Sequence, residues 1–241
     1  FQHIYELWKL IELVFSDEGT EVQTYETPTH NPYLFYTDVS DADFNFYYNL
    51  VDAPDLSDRP LISPLSSTSW RLSYIFSLED QFLEDGKVIY KIRVKPRLAN
   101  GPYFDGHIFV VDKEWAIKSV NLRIAPSTLS YFTYFQIIHN YERQQDGRWT
   151  LAREDYYYNT REGRIRFYGN TIALHTQYQL DPEFPKNFFR NELRRVEDDA
   201  RDKDSLWWDE NRPIALKQVE IDYIRERDSI NAYHMSKEYL R

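Results

Sequence analysis

The stretch "DGHIFVVDKEWAIKSVNLRI", residues 105–124, decides how the middle of the chain is read. Val120, Leu122 and Ile124 alternate with Ser119, Asn121 and Arg123. A period of two belongs to a half-buried strand. Asp112, Lys113 and Glu114 interrupt the apolar pattern as a turn, so the stretch predicts a β-hairpin with one greasy and one wet face.

The same rhythm extends in both directions. Upstream, Trp70, Leu72, Tyr74, Phe76 and Leu78 alternate with Arg71, Ser73, Ile75 and Ser77; "EDG" (84–86) turns the chain, and Tyr90, Ile92 and Val94 alternate with Lys91, Arg93 and Lys95. Downstream, Phe135, Ile137, His139 and Tyr141 face one way, "QQDGR" (144–148) turns, and strand patterning continues to Leu180. Strands joined by tight turns pair with their neighbours as an antiparallel meander. Its apolar face must be buried under a second layer or curled around something.

Outside that block the patterns change. Ile4, Trp8, Ile11 and Phe15 predict a helix over 1–15, the aromatics at 33–36 and 44–48 predict two short strands, and the proline- and serine-bearing run 51–67 predicts a loop. Helices are expected at roughly 190–203 and 215–228. The expected fold is mainly β (α+β), a strongly curved antiparallel meander or half-barrel with helices covering its concave face. It is read as a single domain over 1–241, comprising an acidic aromatic segment (1–67), the sheet (68–180) and a helical segment (188–230).

Composition narrows function by exclusion. The chain has no cysteine, which removes disulfides, thiolate zinc sites and cysteine nucleophiles. Residues 1–60 hold 12 of the 39 acidic side chains against two of the 29 basic ones, and 61–241 balance at 27 each. An acidic chain without a basic stripe argues against nucleic acid as a partner. Residues 1–15 include Glu6, Lys9 and Glu12 and fit neither a membrane span nor a signal peptide. A start at Phe1 reads as a piece of a longer chain.

No catalytic motif is present: no phosphate-binding glycine loop, nucleophile elbow, paired-histidine zinc helix or dinucleotide fingerprint. The six histidines are scattered singly, and no metal site or cofactor is expected. His139 reads as a hydrogen-bonded core or cavity-lining residue, with a ligand or general base as the alternative. "EDDARDKD" (197–204) reads as a solvated face rather than a calcium loop. Glu154 with Asp155, or Asp41 with Asp43, would be the carboxylate pairs of a sugar-processing domain. Tyr33, Phe35, Phe44, Phe46, Trp70, Tyr74, His139 and Tyr141 are the candidates for a ligand cavity or platform. Structural roles are expected for Gly106 (close backbone approach), for Trp115 and Ile117 (packed under the sheet) and for Trp207, Trp208 and Arg212 (anchoring the helical segment). Buried, Trp115 would cost about 3–5 kcal/mol on truncation to Ala.

Six stretches stand together in a recognisable order: "PLISPLS" (60–66), "VIYKIRVKPR" (88–97), "FDGHIFVVDKEWAIKSVNLRI" (104–124), "IIHNYERQQDGRWTL" (137–151), "DSLWWDENRPIALKQVEIDYI" (204–224) and "RDSI" (227–230). In them the chain resembles the middle region, of unknown function, of large Bacteroidota outer-membrane proteins that carry a carboxypeptidase-regulatory-like domain before it and a membrane β-barrel after it. The F-x-G strand, the Asp turn and W-A-I-x-x-V are also similar to periplasmic lipoprotein-carrier proteins, whose curved sheet wraps an apolar cavity. The resemblance implies a non-enzymatic domain on the periplasmic side of the outer membrane, partnered by its own flanking domains and barrel. Its role would be binding or scaffolding of a lipid, lipoprotein or other apolar ligand. The alternatives are a carbohydrate-binding or glycan-processing domain and an acidic protein-interaction module.

Overall fold

The structure, a computed structural model, describes residues 9–16, 19–26, 44–66, 68–180, 195–196, 204–211 and 214–218, with isolated positions at 183 and between 221 and 233. In chain order its strands are β1 (Lys9–Ser16), β2 (Gly19–Glu26), β3 (Leu50–Val51), β4 (Leu61–Ile62), β5 (Tyr74–Glu84) and β6 (Lys87–Pro96). There follow β7 (Phe104–Val111), β8 (Ile117–Ile124), β9 (Tyr134–Arg143), β10 (Trp149–Glu162), β11 (Ile165–Leu174) and β12 (Arg195–Val196). Helix α1 spans Trp70–Ser73 and α2 spans Ser205–Asn211. Two compact units result: Phe1–His30 with Pro185–Arg241, and Asn31–Phe184.

In the smaller unit β1 pairs antiparallel with β2, and β12 adds to β2 in parallel. The helix expected over 1–15 is therefore corrected to a strand from Lys9, because a run as short as "KLIELVFS" satisfies both periods and its pairing with β2 decides between them. Arg195 and Val196, read inside a helix at 190–203, are likewise extended. The later helix agrees better: Gln218, Ile221, Asp222, Arg225, Glu226 and Ser229 are helical, and the Ile221 N–H donates to the Lys217 carbonyl at 3.0 Å. Asp204 starts α2, its carboxylate accepting from the Trp207 N–H at 2.8 Å.

In the larger unit the meander is as expected. Seven strands lie in the order β11-β10-β9-β8-β7-β6-β5, every neighbour antiparallel. The sheet stays open at β5 and β11 and is not strongly curled, which corrects the half-barrel. One face carries Tyr74, Val94, Phe104, Ile108, Val120, Leu122, Ile124, Phe135, Ile137, Tyr156 and Tyr158, all buried in one cluster. The other carries a polar network, in which Arg93 forks onto Asp105 at 2.9 and 2.8 Å, Arg123 reaches the same carboxylate at 3.0 Å and Glu79 bridges Lys91 and His107, beside a small apolar group where Ile89 and Val111 are buried and Phe82 meets Phe109 at 6.3 Å.

The described cover of the apolar face is a loop rather than helices. Phe44, Phe46, Val51, Ala53, Leu56 and Leu61 are buried in the same cluster as the strand residues. Phe46 meets Phe104 edge-on at 5.2 Å, and Phe44 meets Tyr156 at 5.4 Å. The strand expected at 44–48 is a turn instead, and the β3–β4 pair follows it. Hydrogen bonds fasten the loop. The Ser63 hydroxyl donates to the Phe46 carbonyl at 2.6 Å, and the Tyr74 hydroxyl donates to the Ile62 carbonyl while accepting from the Phe104 N–H at 3.0 Å. Residues 70–73, read as strand, form α1: Ser66 Oγ accepts from the Ser69 N–H at 3.3 Å, and the Ser73 N–H closes a turn onto the Ser69 carbonyl at 3.0 Å.

Gly106 does what its position suggested. Its φ is +156°, and a Cβ there would stand 2.1 Å from the Asn121 carbonyl oxygen of the paired strand. That oxygen is backbone and cannot swing aside. Gly106→Ala is expected to lower stability by at least about 2 kcal/mol in urea unfolding; a change under about 0.5 kcal/mol would contradict this packing.

Candidate functional site

The sheet places a carboxylate where its pattern calls for an apolar residue. Glu154 shares the inward face of β10 with Tyr156 and Tyr158 and is 5% exposed. A bulge at Leu151/Arg153 sets the register that puts it opposite His139 on β9. The Tyr156 hydroxyl donates to one carboxylate oxygen at 2.9 Å, with His139 Nε2 3.3 Å from it, and His175 Nε2 lies 3.0 Å from the other. His175 follows β11 directly, and its N–H donates to the Ala152 carbonyl at 2.9 Å. The Tyr178 hydroxyl donates to the Leu151 carbonyl. The cluster thus ties the chain leaving β11 to β9 and β10.

Burial decides which member is charged. Water exclusion pushes His139, 1% exposed, down to about 4, against the pull of Glu154, so its imidazole is neutral at pH 7. Burial also pushes the Glu154 carboxyl upward, but the His175 hydrogen bond, the neighbouring His139 and His175 imidazoles and the Tyr156 hydroxyl together outweigh it, and the net direction is down. The carboxylate keeps the charge. Burial raises Tyr141 as well, and takes Tyr178 up to about 12 with help from the Glu154 charge. His139 Nδ1 is buried without a hydrogen-bond partner. Glu154 has its oxygens occupied by neighbouring donors, so the cluster reads as a fixed internal anion. Among the described residues no group of three or more His, Asp or Glu is placed to hold a metal ion.

A second region lies on the same sheet face, toward the β5 edge. Phe76, Ser77, Leu78, Tyr90 and Ile92 line an open cavity of about 330 Å³. It is a shallow depression, wide open to solvent. Leu78 is 61% exposed there. Tyr90 stacks on Trp115 with ring centroids 6.5 Å apart and planes 25° from parallel, and its hydroxyl donates to Asp112 at 3.1 Å.

Comparison with known families assigns the chain. A family model matches residues 19–178, two thirds of the sequence. The chain belongs to DUF5686, a family of unknown function. Comparisons with curated proteins and with solved structures find no match. The DUF5686 match takes in His139, Glu154, His175, Tyr178 and the whole lining of the cavity.

The expected site residues scatter within the DUF5686 region. Phe44, Phe46 and Tyr74 are core, Tyr141 is partly buried beside Tyr47 and His139, and Trp70 lies at the surface on α1, against Phe76. Tyr33, Phe35 and Arg212 lie outside the described residues, as do Asp41 and Asp43. Trp208 is buried and meets Trp207 edge-on at 4.8 Å. Ile117 is buried as expected, but Trp115 is not: it is 74% exposed with φ +53°, which corrects its placement under the sheet. The turn spends two left-handed residues, Lys113 and Trp115, before β8 begins, and that aims the indole outward. Glu154 and Asp155 occupy opposite faces of β10, as successive strand residues must, and Asp155 is held by the Arg153 fork at 2.7 Å. They do not share a cleft. Sequence reasoning missed the joining of Glu154 to His139 and His175; the available sign was a lone acid in the inward frame of Tyr156 and Tyr158.

Stability should follow the His139 imidazole. Its folded value of about 4 lies below the ordinary 6.5, so the unfolded chain takes the proton first as pH falls. Stability complete above about pH 6.5 is lost as pH falls toward 4, by about 3 kcal/mol at most. The lowered Glu154 carboxyl adds a loss of the same sign below its ordinary 4.5. Urea midpoints between pH 7.5 and 4.5 should fall steadily in the wild type and much less in His139→Phe; equal slopes would refute the assignment.

Proposed function

We propose that this chain is a non-enzymatic binding domain that holds an apolar ligand, such as a lipid or the acyl chain of a lipoprotein, on the periplasmic side of the bacterial outer membrane. The observation that carries this reading is that, among the described residues, the β5–β6 corner of the apolar face is left exposed, with Leu78 in water. One face is apolar from β10 to β5, and the loop of residues 44–66 buries its middle. At the β5–β6 corner Phe76, Leu78, Tyr90 and Ile92 surround an open cavity instead. Exposed apolar surface of that kind is costly to keep and favours a binding site.

Location and partners enter through resemblance. The six stretches quoted above resemble the periplasmic middle region of outer-membrane proteins, so the flanking domains and barrel of such a protein are the proposed neighbours. The likeness to lipoprotein carriers supplies the ligand class, by analogy between sheets that use one greasy face. A non-enzymatic role is favoured because the Glu154 carboxylate is enclosed and held by Tyr156 and His175. His139 and Glu154 are almost wholly enclosed, and Glu154 and Asp155 face opposite ways.

Delipidated protein is expected to bind a fluorescent fatty acid at micromolar concentration. Leu78→Asp, at an exposed position that the fold does not need, is expected to weaken binding at least tenfold with the unfolding midpoint unchanged. Absence of binding by the wild type to fatty acids and lipid extracts would leave scaffolding as the role of the domain.

A further inference from the structure

We infer that the end of the sheet where β5 starts and β6 finishes is a docking surface for a lipid bilayer with anionic head groups. Exposed Leu72, Ile75 and Leu98 enter the interface there, and Arg71, Lys95 and Arg97 meet the phosphates. This surface does not depend on the apolar-ligand reading above.

Its charge runs against that of the whole molecule. The chain carries a net charge of −10, yet this end is built from segments that contain no acid. No Asp or Glu occurs in 59–78 or in 86–104, the stretches that supply α1, the first residues of β5, all of β6 and the turn into β7. Among the described residues no carboxylate pairs with Arg71, Lys95 or Arg97. Asp105, on the neighbouring β7, is shared by Arg93 and Arg123, and Glu79, further along β5, by Lys91 and His107. Asp55 and Asp58 flank Leu56, whose carbonyl accepts from the Ser130 N–H at the β8–β9 connection, two strands over from β6. Three cations are therefore left uncompensated at one place.

Aliphatic side chains stand among those cations in water. Leu72 is 81% exposed, Leu98 60% and Ile75 45%. Backbone contacts fix them relative to one another: Ile75 pairs with Lys95, the Arg97 N–H donates to the Ser73 carbonyl at 2.9 Å, and Arg97 Nε donates to the Arg71 carbonyl at 2.8 Å. The surface is thus preformed, and docking has little backbone left to order. Trp70, at the surface beside them, carries the Arg71 guanidinium 5.1 Å from its ring centroid. An indole with an apolar body and a polar edge suits the head-group layer. Leucine tips alone would fit many apolar partners, and the cations narrow the choice. A partner that is apolar within and anionic at its rim matches both components, and a bilayer of acidic lipids has that profile.

Vesicle flotation of the whole chain tests this, with phosphatidylcholine vesicles made with and without phosphatidylglycerol. Binding should be at least about tenfold stronger with the anionic lipid and should fall as salt is raised. Leu72→Ser combined with Leu98→Ser, both at exposed positions, should lose at least about fivefold with the melting temperature unchanged. Arg71→Gln combined with Lys95→Gln keeps the Arg71 carbonyl that Arg97 uses and should lose at least about tenfold on the anionic vesicles. Leu98→Ser and Lys95→Gln singly serve where a double variant does not fold. Equal binding to both kinds of vesicle, or leucine variants that bind as the wild type does, overturns the inference. So does a wild type that binds neither, and retention on polyglutamate would then assign the surface to an acidic protein instead.

Discussion

A single antiparallel sheet with one apolar face cannot stand in water unless something closes that face, and the loop of residues 44–66 is what closes it here. The contact between Phe44, Phe46, Leu56 and Leu61 and the strand residues is therefore the constraint on which the larger unit depends. An irregular segment can serve because its backbone groups are satisfied as it crosses. Leu50–Val51 pairs with Leu61–Ile62, the Ile62 N–H donates to the Pro102 carbonyl at 2.8 Å, and the Ser130 N–H donates to the Leu56 carbonyl at 2.8 Å. Tyr74 is the pivot. Its ring is fully buried, and its hydroxyl joins the loop at Ile62 to the start of β7 at Phe104.

A loop of this length closes the middle of the sheet and leaves the flanks to other solutions. Toward β11 the solution is polar: a buried carboxylate bonded to Tyr156 and His175 fixes the strands to one another and to the exit segment. Toward β5 the sheet ends in apolar residues around an open hollow, and the edge itself carries Glu79, Asp80 and Glu84 with a bulge between Leu78 and Asp80. Charge and a bulge on an edge strand oppose the addition of a further strand. The edge is thus guarded against sheet extension.

The sheet was legible because a period of two survives translation into structure. Every inward residue read from Val120, Leu122, Ile124, Phe135 and Ile137 is buried, and the turns fell where Gly and Asp mark them. What covers the sheet was not legible, since helix and loop bury phenylalanine equally well and nothing local in "DFNFYYNL" favours either. Periodicity also carries no record of bulges. The extra residue between Leu151 and Arg153 shifts the frame by which Glu154 meets His139, so the central pair of the buried cluster could not be matched from sequence spacing. Trp115 failed for the opposite reason. Its place in an apolar phrase argued for burial, and two successive reversals of backbone hand within four residues turned it outward.

The two sites differ in the direction their chemistry points. Tyr156 and His175 hold the two oxygens of Glu154, whose charge is kept against burial by these internal hydrogen bonds, while His139 Nδ1 is left without a partner. Such a cluster stabilises or destabilises the fold with pH but offers little to an incoming molecule. Trp115 takes a left-handed backbone that closes the β7–β8 hairpin and lays its exposed indole against Tyr90, while Leu78 is left in water. Residues that violate local rules without a compensating internal contact are where function concentrates, because the compensation arrives with the partner. The β5–β6 corner, with Phe76, Leu78, Tyr90 and Ile92 on it, is where the proposed binding would act, and the histidine cluster is part of what keeps the sheet behind it in register.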